Sequence, residues 1–447
     1  METLQKAVAA SAMHDGQREA DHTVECHPST RRRHLERMKI WADRPHAKKR
    51  VQWMRGPAGA GKTAIVRSTC AILQEILKIP FASFFFWKTD SSRNNLKCFA
   101  ATIAYQLVQK IPDLRPRIEE MLQNDPLLLG RSFKTQMEAL VIDPFLSSFA
   151  SGKITERHIV IVVDGLDECA DDGRELLRFV PYFLSKLDKL PISFFMASRP
   201  EVSIANVFRD SDLESITIFS TLEASNEDIE EFLAIEFKRI YSGSSYLQRK
   251  YKTWPAMEYF KILVRKSSGY FICPKTAIRY IDNHERGLRP DDRLEIVLSA
   301  ITDVDSDTPW HEPLDQLYRG ILKRHAPRRD LDGFRTRIGL LCIPGIAYPL
   351  NLHFVTKNTW ALAFFHEIID NFQEAIADLT SLFSLDRDGI PVPHHASLPD
   401  FLFNRDRSLD FYSDKESLHA RIASDALHFI LTSNDLCELS TGPSAQF

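Results

Sequence analysis

Charge of one sign is what this sequence lacks first. Its 57 Lys and Arg nearly cancel its 60 Asp and Glu, leaving a formal net charge of −3 over 447 residues. No chain-wide field therefore draws it to nucleic acid or to an anionic membrane. Cysteine is scarce: the seven, at 26, 70, 98, 169, 273, 342 and 437, are scattered and contain no C-x-x-C. That excludes a disulfide framework and a zinc site of ordinary spacing. No N-x-S/T sequon occurs, and no apolar run approaches the length that spans a bilayer. The opening METLQKAVAASAMHDGQREAD is too polar for a signal peptide. No repeat with a period of 20–50 residues is present, which excludes a solenoid or propeller. The expectation left standing is a reduced, cytoplasmic protein with neither a membrane nor a nucleic-acid partner.

What is present is ordinary globular composition, 44% hydrophobic and 26% charged, so wholesale disorder is also excluded. The length suggests about two to four domains. Residues 1–29 lack periodicity and read either as mobile or as a short packing arm. From Thr30, TRRRHLERMKIWA places Leu35, Met38 and Trp41 on one side of a basic amphipathic helix, with Thr30 as its cap. Arg31, Arg32 and Arg33 are candidates for a phosphate contact, although a solvated helix face is the favoured reading of such a charge run.

Five short runs then alternate with helical patterns: 51–55 (VQWMR), 81–87 (FASFFFW), 158–163 (HIVIVV), 192–197 (ISFFMA) and 215–219 (SITIF). Continuous rather than alternating apolar runs are what strands covered on both faces by crossover helices require. The pattern predicts an α/β fold with a five-stranded, mostly parallel sheet. Beyond about residue 222 the runs 227–240, 257–267, 276–282 and 314–325 look helical. Residues 334–403 close with a hairpin turning at Asp388 and Gly389 and then a helix, which suggests a winged-helix-like unit. A last helix near 418–431 carries Leu418, Ile422, Ala426 and Phe429 on one stripe.

The strongest chemical signal is Gly56-Pro57-Ala58-Gly59-Ala60-Gly61-Lys62-Thr63, with Ala64 following, between a strand and an amphipathic helix. It fits G-x-x-x-x-G-K-[ST] in full. Glycines let backbone N–H groups close around a β-phosphate, helped by the positive end of the next helix. Lys62 is expected between the β- and γ-phosphates, and the Thr63 hydroxyl on Mg²⁺. HIVIVVDGLDEC supplies the carboxylate partner: Asp164 ends a buried strand and is the expected second metal residue. Asp167 or Glu168 could orient or deprotonate water, while helix-terminal acids would equally explain that pair alone. Arg199, ending the next strand in Ser-Arg-Pro, is either a γ-phosphate sensor or the partner of a surface carboxylate.

In this order, GPAGAGKT, IVIVVDGLDEC and FFMASRPE resemble the NACHT family of STAND signal-transduction P-loop NTPases. The flanks are similar to fungal NOD-like receptor proteins with a nephrocystin-like NTPase core. The likeness is carried by Cys26-x-Pro28-x-Thr30-Arg31, by SFFF at 83–86 with Arg93 and TIAYQL at 102–107, by G-x-F-I at 269–272, by L-D-x-L-Y at 314–318 and by H-A-S-x-x-D-F-L at 395–402. The resemblance implies a nucleotide domain over 30–222, a helical domain over 223–330, a winged-helix-like domain over 331–410, and a C-terminal helix and tail over 411–447. It implies that these domains close over ADP, with His395 reaching the β-phosphate. A histidine hydrogen-bonded to backbone at a helix start remains the alternative reading of His395. The function implied is an ATP/ADP switch whose exchange opens the clamp for self-association, with slow ATP hydrolysis as a reset. Family members usually carry sensor and effector modules, so the expectation is either a partner chain that supplies them or a reduced or truncated member of the family. A turnover ATPase and a passive module holding nucleotide structurally are the competing readings.

Overall fold

The computed structural model describes residues 1–16, 25–43, 48–88, 90–152, 158–283, 287–302, 309, 311–327, 329–343, 379–385 and 391–432. The chain divides into two compact units, Met1–Phe232 with Ser268–Phe271, and Leu233–Ser267 with Ile272–Phe447. The first unit thus runs past the boundary expected at residue 222 and takes back four residues from beyond it.

The first unit is built on five strands: β1 (Val51–Arg55), β2 (Phe81–Phe85), β3 (Ile159–Asp164), β4 (Ile192–Ser198) and β5 (Thr217–Thr221). Their order is β2-β3-β4-β1-β5, and every pairing is parallel. Side chains alternate across a strand, and here both faces are covered. Ile159, Ile161 and Val163 enter one core, with Trp53, Phe84 and Phe194. Val160 and Val162 enter the other, with Met54, Phe85 and Phe195. The uninterrupted apolar runs follow from that double coverage, and each such buried side chain contributes about 2 kcal/mol. The edge strand β5 is the exception: its side chains alternate between more covered and exposed, and Phe219 is 39% exposed.

The opposite edge is closed by two devices. Gln106, on the helix Phe99–Lys110, accepts the Ser83 N–H at 3.0 Å and donates to the Ser83 carbonyl at 2.8 Å. Its carboxamide stands in for a sixth strand at that residue, where an open edge would invite pairing with another chain. The N-terminal arm lies alongside. Leu4, Ala9 and Ala12 are buried in the core, the His14 N–H donates to Ser83 Oγ at 2.8 Å, and Arg93 donates to the Ser11 carbonyl at 2.7 Å. Residues 1–16 are therefore the packing arm, and the SFFF and TIAYQL segments meet in this edge closure. Gln106→Leu is expected to cost about 2–3 kcal/mol by leaving both Ser83 groups unpaired. Chemical denaturation reads this directly; an unchanged midpoint would show the two bonds to be idle.

His158, just before β3, sets the behaviour in acid. Its Nδ1 meets the Ala42 carbonyl at 2.8 Å and its Nε2 meets Ser193 Oγ at 3.1 Å. Burial, aided by Arg50, holds this imidazole below its ordinary pKa against the opposing Ala42 hydrogen bond. Burial also lowers His14. Folding therefore prefers the neutral rings. Their stabilisation is complete above about pH 6.5 and is lost as the pH falls through the unfolded pKa toward the lower folded one. Denaturation midpoints should drop between about pH 7.5 and pH 5, with a shallower slope in His158→Gln. Identical slopes would remove His158 from the account.

The second unit is mainly helical. It contains Met257–Lys266, Ile272–Ile281, Pro290–Thr302 and Glu312–His325, then Leu331–Leu341. Pro274 and Pro399 both fall in first helical turns, where a missing N–H costs little. The expected hairpin is present as β6 (Phe383–Leu385) against β7 (Pro391–Pro393), antiparallel, followed by the helix Ser397–Leu402. Its turn at Asp388 and Gly389, residues 344–378 of the expected winged-helix-like domain, and the tail beyond residue 432 lie outside the described residues. The last helix spans Lys415–Thr432, and its Leu418 packs on Leu340 and Ile343.

Candidate functional site

β4 lies between β1 and β3, with Arg55 in register with Ser198 and Asp164 with Ala197. The carboxyl ends of the three strands are thus level, and Asp164 stands two strand spacings, about 10 Å, from the start of the loop that follows β1. Ligands of open α/β sheets bind at this edge. Trp53 on β1 locks the end of β4 by donating from Nε1 to Ser198 Oγ at 2.9 Å, and its ring stacks on Phe208 at 4.0 Å.

The loop from Gly56 to Gly61 turns through two left-handed glycines, Gly59 (φ 73°) and Gly61 (φ 92°). Gly56 is a glycine for room: a Cβ there would sit 3.1 Å from Leu222 Cβ and 3.4 Å from Ala60 Cβ. A Cβ on Gly61 would meet nothing within 4 Å, so the loop has open space on that side. The helix Lys62–Ala71 follows at once, with no side-chain cap on its first turn. Its leading N–H groups, on Lys62, Thr63 and Ala64, are those a helix leaves without internal acceptors. Pro57 and Ala58 form the turn between, closed by the Ala60 N–H on the Pro57 carbonyl at 3.3 Å. Lys62 folds back, donating from Nζ to the Gly56 and Pro57 carbonyls at 2.8 and 2.9 Å.

Four charges gather on Lys62. Burial lowers its pKa; Asp167, Asp164 and Glu168 oppose that shift, and Arg199 adds to it. The sequence-predicted residues Lys62, Asp164, Asp167, Glu168 and Arg199 therefore share one electrostatic environment. Asp164 is 3% exposed at the very end of β3. Asp167 and Glu168 sit in the short 3-10 turn Leu166–Glu168. Asp167 is committed to Arg199: Oδ1 accepts the Arg199 N–H at 2.9 Å, and Oδ2 lies 3.1 Å from Nε. Arg199 is thus paired to a carboxylate, as one reading held, but to a buried carboxylate of the site rather than to one on the surface. Glu168 Oε2 accepts the Lys88 N–H at 3.2 Å. Thr63 Oγ1, in the first turn, and the Asp164 carboxylate are hard oxygen donors of the kind Mg²⁺ takes. Three carboxylates against two cations around Lys62 leave a charge deficit that a divalent ion fits.

Two expectations about the basic segment need correcting. Thr30 caps no helix, since its hydroxyl donates to the His27 carbonyl at 3.0 Å and the helix begins at Arg32. Arg31 lies on no solvated face. It precedes the helix in a left-handed conformation (φ 59°), is 3% exposed, and donates to the Ala60 and Glu223 carbonyls, each at 2.9 Å. Arg32 and Arg33 are exposed as expected. Residue-type reasoning had no means of separating Arg31 from its neighbours, because charge and spacing are the same for all three.

His395 belongs to the second unit. Its Nδ1 accepts the Ser397 N–H at 3.0 Å and meets Ser397 Oγ at 2.9 Å, the backbone contact anticipated for a histidine opening a helix. Ser397 in turn bonds the buried Tyr318 hydroxyl at 2.8 Å, and the Tyr318 ring packs on Phe401. Arg407 grips Asp315 with two bonds of 2.8 and 2.7 Å. The L-D-x-L-Y and H-A-S-x-x-D-F-L segments are thus two sides of one packing contact. Among the described residues, His311, Glu312 and Asp315 bring ligand-type atoms within 4.8 Å of one another. Those oxygens already serve Arg407, Arg319 and His311, so the group is an ion-pair network. Also among the described residues, no helix is long and apolar enough to cross a membrane, and the six cysteines are all free thiols.

Residues 32–199 match the family model described as Nephrocystin 3, N-terminal. The match ends at Arg199 and takes in β1 to β4. No curated protein matches the chain. Among solved structures, Cdc6p from Pyrobaculum aerophilum is 11% identical over 87% of this chain and 97% of its own, with a TM-score of 0.36. Orc1 from Aeropyrum pernix, in complex with DNA, is 13% identical over 66% and 83%, with a TM-score of 0.30. Drosophila ORC bound to DNA is 12% identical over 86% and 84%, with a TM-score of 0.36. With TM-scores this low, none of the three bears on what this chain binds. The parallel sheet, the glycine loop between β1 and its helix, and the family match over 32–199 together make the first unit a P-loop NTPase fold.

Proposed function

We propose that the first unit binds ATP and ADP with Mg²⁺ and works as a nucleotide-dependent switch of the NACHT type, its exchange governing self-association or the docking of a partner chain. The observation that carries this reading is the gathering of Asp164, Asp167, Glu168 and Arg199 around Lys62 beside an uncapped helix start. The amides of residues 61–64 hold the diphosphate, and Lys62 leaves the Gly56 and Pro57 carbonyls to meet it. Thr63 and Asp164 are the residues that would hold Mg²⁺, which would supply positive charge against the phosphates. Asp167 or Glu168 orients the attacking water, and Arg199, held by Asp167, senses the γ-phosphate. Hydrolysis then serves as a slow reset.

The test is calorimetric titration of the full chain and of Lys62→Ala with ADP and ATP, with and without magnesium, alongside light scattering for association state. Binding that needs Lys62, with association differing between the two nucleotides, supports the switch. Failure of the unaltered chain to bind either nucleotide ends the reading.

A further inference from the structure

Arg31 ties its own segment to three stretches of chain that are remote in sequence. Nη2 donates to the Ala60 carbonyl, inside the glycine loop, at 2.9 Å. Nη1 donates to the Glu223 carbonyl at 2.9 Å and lies 3.7 Å from Asp228 Oδ2, while the Arg31 N–H donates to Asp228 Oδ1 at 3.0 Å. The guanidinium stands over the Phe271 ring, 5.1 Å from its centroid. The backbone is held in a conformation that a non-glycine residue adopts only at a cost of order 1–3 kcal/mol, and such strain persists where the surroundings over-determine it.

The Ala60 contact has a geometric consequence. In a trans peptide the C=O and the next N–H point in opposite directions. Holding the Ala60 carbonyl against Arg31 therefore turns the Gly61 N–H away from Arg31. Among the described residues that N–H has no backbone acceptor, and a Cβ on Gly61 would point into open space. The other contacts sit where the first unit passes into the second, through residues 223–232 and 268–271. Those two passages are themselves joined. Ser225 N–H donates to the Gly269 carbonyl at 3.2 Å, and Gly269, at φ 75°, leaves no space for a side chain against Ser225.

We infer that Arg31 is a positioning residue of the phosphate loop: it orients the Ala60–Gly61 peptide so that the Gly61 amide faces the bound β-phosphate, and it links that peptide to both passages of the chain between the units. This rests on the nucleotide reading above and deepens it. Lysine is a poor replacement, because its ammonium is a single point donor, whereas Arg31 reaches the Glu223 and Ala60 carbonyls from two separate nitrogens of one planar fork.

The experiment measures ADP affinity on the full chain for the unaltered protein, Lys62→Ala, Arg31→Lys and Asp228→Ala. Thermal midpoints without nucleotide, and amide exchange in the ADP complex, are recorded in parallel. Arg31→Lys is expected to bind ADP roughly tenfold more weakly, with faster exchange in segments 58–64, 223–232 and 268–271. Asp228→Ala, which removes the acceptor of the Arg31 N–H and the carboxylate 3.7 Å from the guanidinium, is expected to lose roughly threefold. A purely structural arginine would lower the thermal midpoint and leave the affinity of the folded fraction unchanged. If Lys62→Ala abolishes binding while Arg31→Lys binds like the unaltered chain, the inference is overturned and the nucleotide reading stands. If the unaltered chain does not bind ADP, both fall. Should Arg31→Lys not fold, Asp228→Ala decides, and unchanged affinity there overturns the inference.

Discussion

Lys62→Ala is expected to weaken ADP binding by roughly a hundredfold or more, because it removes a buried, charge-assisted contact to the phosphates. Burial pushes the Lys62 ammonium below its ordinary pKa, and the neighbouring Asp167, Asp164 and Glu168 limit that drop. An incoming diphosphate adds negative charge beside the amine and raises its pKa, so binding favours the protonated form. The sign follows: affinity is full while Lys62 is charged and falls as the pH rises through its depressed pKa. In Lys62→Ala this alkaline loss should vanish together with most of the affinity. Calorimetry across the alkaline range reads both effects, and a variant that keeps either would place the phosphates elsewhere.

Asp164→Asn is expected to lose roughly ten- to a hundredfold of the magnesium-dependent part of nucleotide affinity while keeping binding measured in a chelator. The substitution preserves shape at a residue only 3% exposed, so the sheet tolerates it. What changes is charge. Asp164 is one of three carboxylates that raise the Lys62 pKa, so its removal should also move the alkaline loss of affinity to lower pH. Unaltered magnesium dependence in Asp164→Asn would assign the metal to another carboxylate, and Glu168→Gln would then be the variant to titrate.

The exposed edge of β5 and the closed edge of β2 show where reading a sequence stops. Four strands were legible near their bounds, because a run such as IVIVV states its own double burial. The fifth, expected at 215–219, runs Thr217–Thr221, because Ser215 and Ile216 end the helix Ser211–Ile216. Which strands would become edges was not legible. Gln106 lies 23 residues from the Ser83 it completes, and nothing in its type distinguishes it from a solvent-facing glutamine.

The site divides along the same line. The loop from Gly56 to Thr63 and the strand-terminal Asp164 are contiguous patterns, because phosphate and magnesium are held by backbone turns and strand ends that a few adjacent residues specify. Asp167 and Glu168 looked equivalent on paper. The fold gives them different partners: Asp167 accepts from Arg199, and Glu168 accepts the Lys88 N–H. Arg31 closes the Cys26-x-Pro28-x-Thr30-Arg31 element of the resemblance, but its residue type gave no sign of where its side chain would go. Its partners lie 29 and 192 residues away, and it left the helix face assigned to it for a buried position against the glycine loop. By itself, then, the sequence determined the sheet, the glycine loop and the strand-end carboxylate, since these depend on local backbone geometry and short-range burial. Only the tertiary structure decided which charges pair and which stay beside Lys62, since a buried charge is assigned its partner by whatever the fold brings within hydrogen-bond reach.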